Sequence, residues 1–219
     1  MLIELFQSLA ELLPALGFLM LNVLIPGPNV LNTVGTSIGS DRLSGFYCAL
    51  ACGLGLFIWA VLALLGAAAI FTTFPGLRFG LTVIGALLLW YFSARYCSKA
   101  LSKNDTALNS INTTKSLAFK RAFFIMITNP KVLTTWLAVI SLFPIITQNT
   151  LNMTLFTFLS GFASFIGHAI YAFIFSSNTA KDVYQIIHKP INGIVGIGFF
   201  IYGAKLIYEL FKQSISYIG

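Results

Sequence analysis

From Leu12 to Ser40 the chain carries no ionisable side chain, a run longer than the roughly 20 apolar residues that a helix needs to cross a bilayer. Inside it stands Ile25-Pro26-Gly27-Pro28-Asn29. Each proline lacks an N–H and crowds the carbonyl four residues back, and Gly27 adds backbone freedom, so the helical ladder is expected to break here. Backbone groups freed in hydrocarbon are costly unless protein or water meets them, so such a break survives where it packs against other helices or lines a cavity. A cavity is the expectation, ahead of a plain packing kink.

With 58% hydrophobic and 9% charged residues among 219, the chain has too little polar surface to cover a water-soluble globule. Long apolar runs without alternation exclude an outer-membrane barrel and leave an all-helical, polytopic membrane domain. The formal charge of +7 does not point to nucleic acid, because the basic residues lie between apolar segments, as membrane topology requires. Glu4 and Glu11 stand where a signal peptide would be basic, so the first span itself is expected to direct insertion. Cys48, Cys52 and Cys97 have no ligand-like spacing with histidine; neither a disulfide framework nor a metal or cofactor site follows, and Cys48 and Cys52 read as packing.

Six spans are expected: about Leu12 to Thr36, Ser44 to Phe71, Phe79 to Arg95, Ala122 to Ile146, Met153 to Phe175, and Pro190 to Phe211. Pro75-Gly76 turns the chain between the second and third. A hydrophilic loop, about 97–121, divides the chain into repeat 1 (about 12–96) and repeat 2 (about 122–211). Arg42, then Arg95, Lys99, Lys103, Lys115, Lys120 and Arg121, then Lys181 and Lys189 follow spans one, three and five, while the other side has little beyond Arg78 and Lys212. The positive-inside rule places the central loop in the cytoplasm and both termini outside.

The halves echo each other. Pro28-Asn29-Val30-Leu31-Asn32-Thr33 recurs as Pro130-Lys131-Val132-Leu133-Thr134-Thr135, Gly53-Leu54-Gly55-Leu56-Phe57-Ile58 as Gly161-Phe162-Ala163-Ser164-Phe165-Ile166, and Ser93-Ala94-Arg95 as Gly203-Ala204-Lys205. Three spans per half would insert in opposite orientations, giving two inverted three-helix repeats with helices 1 and 4 broken at Pro/Gly. Paired breaks of this kind mark the substrate site of secondary transporters.

Pro26-Gly27-Pro28-Asn29, the glycine pattern of span two, Gly85-Ala86-Leu87-Leu88-Leu89-Trp90-Tyr91 and Asn129-Pro130-Lys131 resemble the LysE/RhtB-type amino-acid exporters over nearly the whole chain. The resemblance implies export of amino acids or small derivatives across a bacterial inner membrane, driven by an ion gradient. Many relatives place an aspartate directly after Pro-Gly-Pro, whereas this chain has Asn29. With no carboxylate in the middle of any span, a neutral substrate is favoured over a cationic one. The expected partners are the amino-acid substrate and the lipid bilayer, with a homodimer as a further candidate.

Lys131 is a charge well inside a predicted span, which by default marks a functional site; its ammonium could meet a substrate carboxylate, whereas snorkelling would return it to an interface. Pro26, Gly27, Pro28, Asn29, Asn32, Asn129 and Pro130 complete the expected substrate site, the asparagines offering hydrogen bonds to substrate or to freed backbone. His168 is the buried candidate for proton coupling, against a role as an interhelical hydrogen bond. Tyr91, Tyr171 and Tyr202 could shape a pocket or anchor the interface.

A membrane thiol-disulfide carrier would need a cysteine in each broken span, and a passive channel would need no alternation between states. An enzyme is not expected, since HExxH and clustered intramembrane carboxylates are missing. The topology has a direct check: Ser102→Cys should be shielded from an impermeant thiol reagent applied outside, and Asn149→Cys should react. The opposite pattern would invert the orientation.

Overall fold

The computed structural model describes residues 2–73, 77–102, 110–176 and 178–216. All regular elements among them are helical: α1 (Leu2–Leu24), α2 (Pro28–Gly39), α3 (Arg42–Thr73), α4 (Leu77–Leu101), α5 (Lys115–Thr128), α6 (Pro130–Leu142), a 3-10 turn (Pro144–Thr147), α7 (Thr150–Ile174) and α8 (Asn178–Ser216). Within α1, α3, α7 and α8 lie stretches long and apolar enough to cross a bilayer, and α5 with α6 makes a fifth if the pair is one span bent by 52°. The expected Pro75-Gly76 turn and residues 103–109 of the central loop, Lys103 included, lie outside the described residues.

Prolines act differently according to their neighbours. Pro14 lies inside α1 and Pro190 inside α8, so the first helix begins ten residues before the expected Leu12 and the last begins at Asn178 rather than at Pro190. A single proline removes one ladder bond, which an otherwise continuous helix can carry with a bend. At Pro26 and Pro28 two donors vanish within three residues, and the helix stops. Gly27 there is extended (φ −147°, ψ −173°), a conformation open to any residue, so the prolines cause the break and not the glycine's freedom. At the second break the residue before proline is pushed out of the helical region, with Asn129 at φ −74° and ψ 115°. Its Oδ1 accepts from the Lys131 N–H at 3.0 Å, capping α6.

The breaks also differ in position. Helices of 14 and 13 residues flank the second, but 23 residues precede the first and 12 follow it. The first break therefore does not bisect a helix from Leu12 to Thr36. α1 is longer because Ile3, Leu5 and Phe6 extend its apolar surface, with Glu4 in the first turn where an acid suits the helix dipole.

Polar and apolar residues are distributed opposite to a soluble protein. Phe6, Leu62, Phe124, Phe158, Phe162, Phe173 and Phe200 are exposed on the outside, while Asn22, Asn29, Asn32, Thr33, Asn129, Ser164 and His168 are buried. Outside the spans, Asp41 caps α3 by accepting from the Ser44 N–H at 2.6 Å, a bond that holds its carboxyl below the ordinary carboxylate range.

α3 packs along α7, α4 along α8, α5 on α3, α1 on α7 and α6 on α4. Glycines allow the closest of these approaches, as in other membrane bundles. A Cβ on Gly53 would lie 2.8 Å from Phe165 Cβ and 3.1 Å from Gly161 O, and one on Gly161 would lie 2.9 Å from Phe57 Cβ and 3.2 Å from Gly53 O. Gly198, by contrast, has open space around it. Gly53→Ala should thus lower the thermal unfolding midpoint of the purified protein, at about 1–3 kcal/mol for overpacking, while Gly198→Ala leaves it unchanged or raises it. Equal responses would contradict the close α3–α7 contact.

Candidate functional site

In an uninterrupted helix the N–H of residue 26 would bond Asn22 O and that of residue 28 would bond Leu24 O. Both positions are proline, so both carbonyls lose their donors. The second half of the chain supplies replacements. Lys131 Nζ donates to Asn22 O at 2.7 Å and to Ile25 O at 3.1 Å, and the Tyr171 hydroxyl donates to Leu24 O. The ammonium also meets the partial negative charge of a helix C-terminus. Gly27 leaves room for the lysine stem, since a Cβ there would stand 3.5 Å from Lys131 Cδ.

Two cavities meet at this point. The inner one, about 40 Å³, is lined by Asn22, Asn29, Asn129, Lys131, Thr135 and His168 together with Leu19, Val23, Ile25, Gly27, Val30, Leu56, Met126 and Val132. That space admits a few waters or an ammonium group, not a whole amino acid. The second, a vestibule of about 220 Å³, is lined by Pro26, Gly27, Pro28, Asn129, Lys131 and Thr134 and by Tyr91, Phe92, Arg95, Tyr96 and Lys99 of α4. Gly27, Asn129 and Lys131 belong to both linings and form the wall between them.

Charge is distributed unevenly across that wall. On the vestibule side three cations surround two tyrosines: Arg95 lies 5.7 Å from the Tyr91 ring centroid, and Lys99 and Lys131 lie 5.7 Å and 6.0 Å from that of Tyr96. No carboxylate lines either cavity among the described residues. On the inner side the polar groups besides Lys131 are uncharged amides, a hydroxyl and an imidazole. His168, 2% exposed, hydrogen-bonds Ser164 O through Nδ1 at 2.8 Å. A carbonyl only accepts, so Nδ1 carries the proton and the neutral ring presents Nε2 as an acceptor.

Most of the expected site comes together. Pro26, Gly27, Pro28, Asn29, Asn129, Lys131 and His168 line one or both cavities, whereas Asn32 does not: its amide points to Cys48 Sγ on α3 at 3.6 Å. Pro130 opens α6, and its side chain lies outside the described residues. Asn22, Arg95, Lys99 and Tyr96 were not expected at the site. Asn22 did carry a signal, since it is the residue whose carbonyl Pro26 cannot serve. Arg95 and Lys99 read as topology charges, and nothing local to α4 shows that they flank a cavity. Among the described residues no group of three or more His, Cys, Asp or Glu side chains could hold a metal ion.

Buried polar groups gathered where two helices are interrupted, inside a bundle whose outer face is apolar, define a multi-pass membrane protein with an internal polar site. The chain belongs to the LysE type translocator family, whose profile matches residues 20–210. It is 27% identical over 211 residues to an uncharacterized membrane protein of Haemophilus influenzae, covering 90% of this chain and 100% of that one. It is 28% identical over 189 residues to a leucine efflux protein of Enterobacter sp. (strain 638), covering 84% of this chain and 89% of the relative. A leucine efflux protein of Salmonella choleraesuis is 32% identical over 111 residues, about half of each chain (51% and 52%). No solved structure matches. Family, relatives and apolar helices together make this a multi-pass protein of the bacterial inner membrane.

The replacement of proline's missing donors is testable apart from transport. Tyr171→Phe leaves Leu24 O without its donor and should cost about 1–3 kcal/mol of stability, read as a lower unfolding midpoint. Tyr208→Phe, at a side chain 68% exposed, should be neutral. An unchanged midpoint for Tyr171→Phe would show that the carbonyl needs no protein donor.

Proposed function

We propose that the protein exports a neutral, aliphatic amino acid across the inner membrane by alternating access, coupled to the proton gradient. The observation that carries this is one wall, Gly27, Asn129 and Lys131, built from both helix breaks and standing between two cavities. A substrate carboxylate arriving through the cationic vestibule would meet Lys131, whose ammonium has three donors and spends two on carbonyls. Leu19, Val23, Val30, Leu56, Met126 and Val132 would surround an aliphatic side chain once the inner cavity opens. The leucine efflux relatives favour the same substrate class. His168, which lines the inner cavity, is the proton-coupling group of this reading.

The alternation is ascribed to two inverted repeats of three helices. Packing supports this through reciprocal contacts: Gly53 lies against Phe165 and Gly161 against Phe57, pairs that exchange when the two echoing segments are exchanged. Likewise Gly203 approaches Ala86 O while Gly196 approaches Ser93 O, and Trp90 stacks on Phe200 at 6.4 Å between centroids. The contacts of α1 with α7 and of α5 with α3 are related in the same way. One chain contains both breaks, so the reading needs no second copy.

The inner cavity is too small to serve as an open pore, which favours a transporter over a passive channel. The cysteines favour neither alternative, since Cys48 and Cys52 are buried in α3 away from both breaks. Cells loaded with individual amino acids should export leucine or a close aliphatic relative faster than cells with an empty vector. Lys131→Ala should abolish this export at normal expression and membrane insertion. Export of none of the tested amino acids above the vector, or full export by Lys131→Ala, would overturn the reading.

A further inference from the structure

Nine buried side-chain polar atoms find no hydrogen-bond partner among the described residues, and three belong to residues lining the inner cavity: Asn22 Oδ1, Asn29 Oδ1 and His168 Nε2. All three residues are more than nine-tenths buried, at 3%, 7% and 2% exposure. Their chemistry is of one kind. The Asn22 amide donates to Phe18 O at 3.0 Å and that of Asn29 to Met126 Sδ at 3.3 Å, which leaves each carbonyl oxygen toward its remaining surroundings. The His168 Nδ1–H is committed to Ser164 O, which leaves Nε2 as a lone-pair acceptor. Buried acceptors are ordinarily satisfied, so three orphans on one cavity call for a donor that the protein does not provide.

We infer that this acceptor cluster is the binding site for the primary ammonium of the substrate, and that a proton on His168 Nε2 excludes the ammonium from it. An ammonium brings three N–H donors, one for each of the three acceptors. The cavity of about 40 Å³ is of the size of such a head group rather than of a whole substrate. Lys131 and Asn129 line the same space, so an α-amino acid held there by its ammonium would have donors for its carboxylate in the same lining. The site recognises the cation without a carboxylate.

The exclusion follows from the lone pair. Nε2 can accept either a proton or an ammonium N–H, and a charged imidazolium would in addition repel the ammonium. Competition of proton and substrate for one acceptor is the minimum that an exchanger needs: substrate leaves as a proton arrives, and the reverse. Among the described residues the cavity that His168 lines has one other titratable group, Lys131 on α6, with Arg95 and Lys99 on α4 lining the vestibule beyond the wall and Tyr171 one turn along the helix of His168; α1, α2, α3 and α5 bring Asn22, Asn29, Leu56 and Met126 to the cavity. Among the described residues no carboxylate lines either cavity to hold a second proton or to neutralise an imidazolium.

This rests on the amino-acid export reading, and the test separates the two. Binding of leucine to the purified full chain should be about tenfold or more tighter than that of 2-hydroxy-4-methylpentanoate, which has a hydroxyl in place of the ammonium. Leucine affinity should fall as the pH is lowered through the range in which His168 takes up a proton. His168→Gln, which keeps an acceptor and cannot titrate, should retain the preference for leucine and lose the pH dependence; His168→Leu should lose the preference. Equal binding of the two ligands by the native protein, or an unchanged pH dependence in His168→Gln, overturns the inference and leaves export standing. If native protein binds neither ligand, the substrate reading fails, and the cluster is judged alone by thermal unfolding in methylammonium against tetramethylammonium chloride, the second having no N–H. A saturable rise with methylammonium only, abolished in His168→Leu, supports the ammonium site; equal effects of the two salts overturn it.

Discussion

Two carbonyls of α1 that lose their helical donors to Pro26 and Pro28 decide how the centre of this protein is built. In a low-dielectric interior an orphan carbonyl costs the full desolvation of the group. The donors come from α6 and α7, as the Lys131 ammonium and the Tyr171 hydroxyl. The break and the lysine make each other tolerable. An ammonium inside an apolar bundle is unfavourable, but here it finds two carbonyls at the negative end of a helix dipole. The result is a tie between the two halves of the chain at the place where both are least regular.

Around that tie, the packing is tight where helices cross and open where they break. Gly53, Gly161, Gly196 and Gly203 bring α3 to α7 and α4 to α8 at distances that leave no room for a Cβ, so these pairs move as units more readily than they slide. α2, α5 and α6 are short helices ending at the breaks, with few ladder bonds to lose when they tilt. The inner cavity is small, and three of the elements that line it are these short helices.

The site's neutrality has an energetic consequence. A buried carboxylate awaiting a cationic group would be an unpaired charge whenever the site is empty, whereas asparagine oxygens and a neutral imidazole are far cheaper to leave unpartnered. The one charge at the wall, Lys131, is held by backbone and needs no counter-ion from the substrate.

Local chemistry made much of this legible. The uncharged runs required membrane helices, the paired prolines required a break, and Lys131 beside Pro130 was a charge inside an apolar span. Sequence also separated the orphan carbonyls of residues 22 and 24 from all others, because proline's missing N–H acts four residues back. It could not say what satisfies them. Those partners lie 109 and 147 residues away along the chain, and only packing brings them in. The same reason explains why Asn32 faces Cys48 and not the cavity, why Asn22 joins the site, and why Arg95 and Lys99 serve a vestibule as well as topology. The sequence by itself determined that helices would cross a bilayer and where two of them would fail; the tertiary structure alone decided which side chains meet at the failure, because hydrogen-bond donors are recruited by proximity in space.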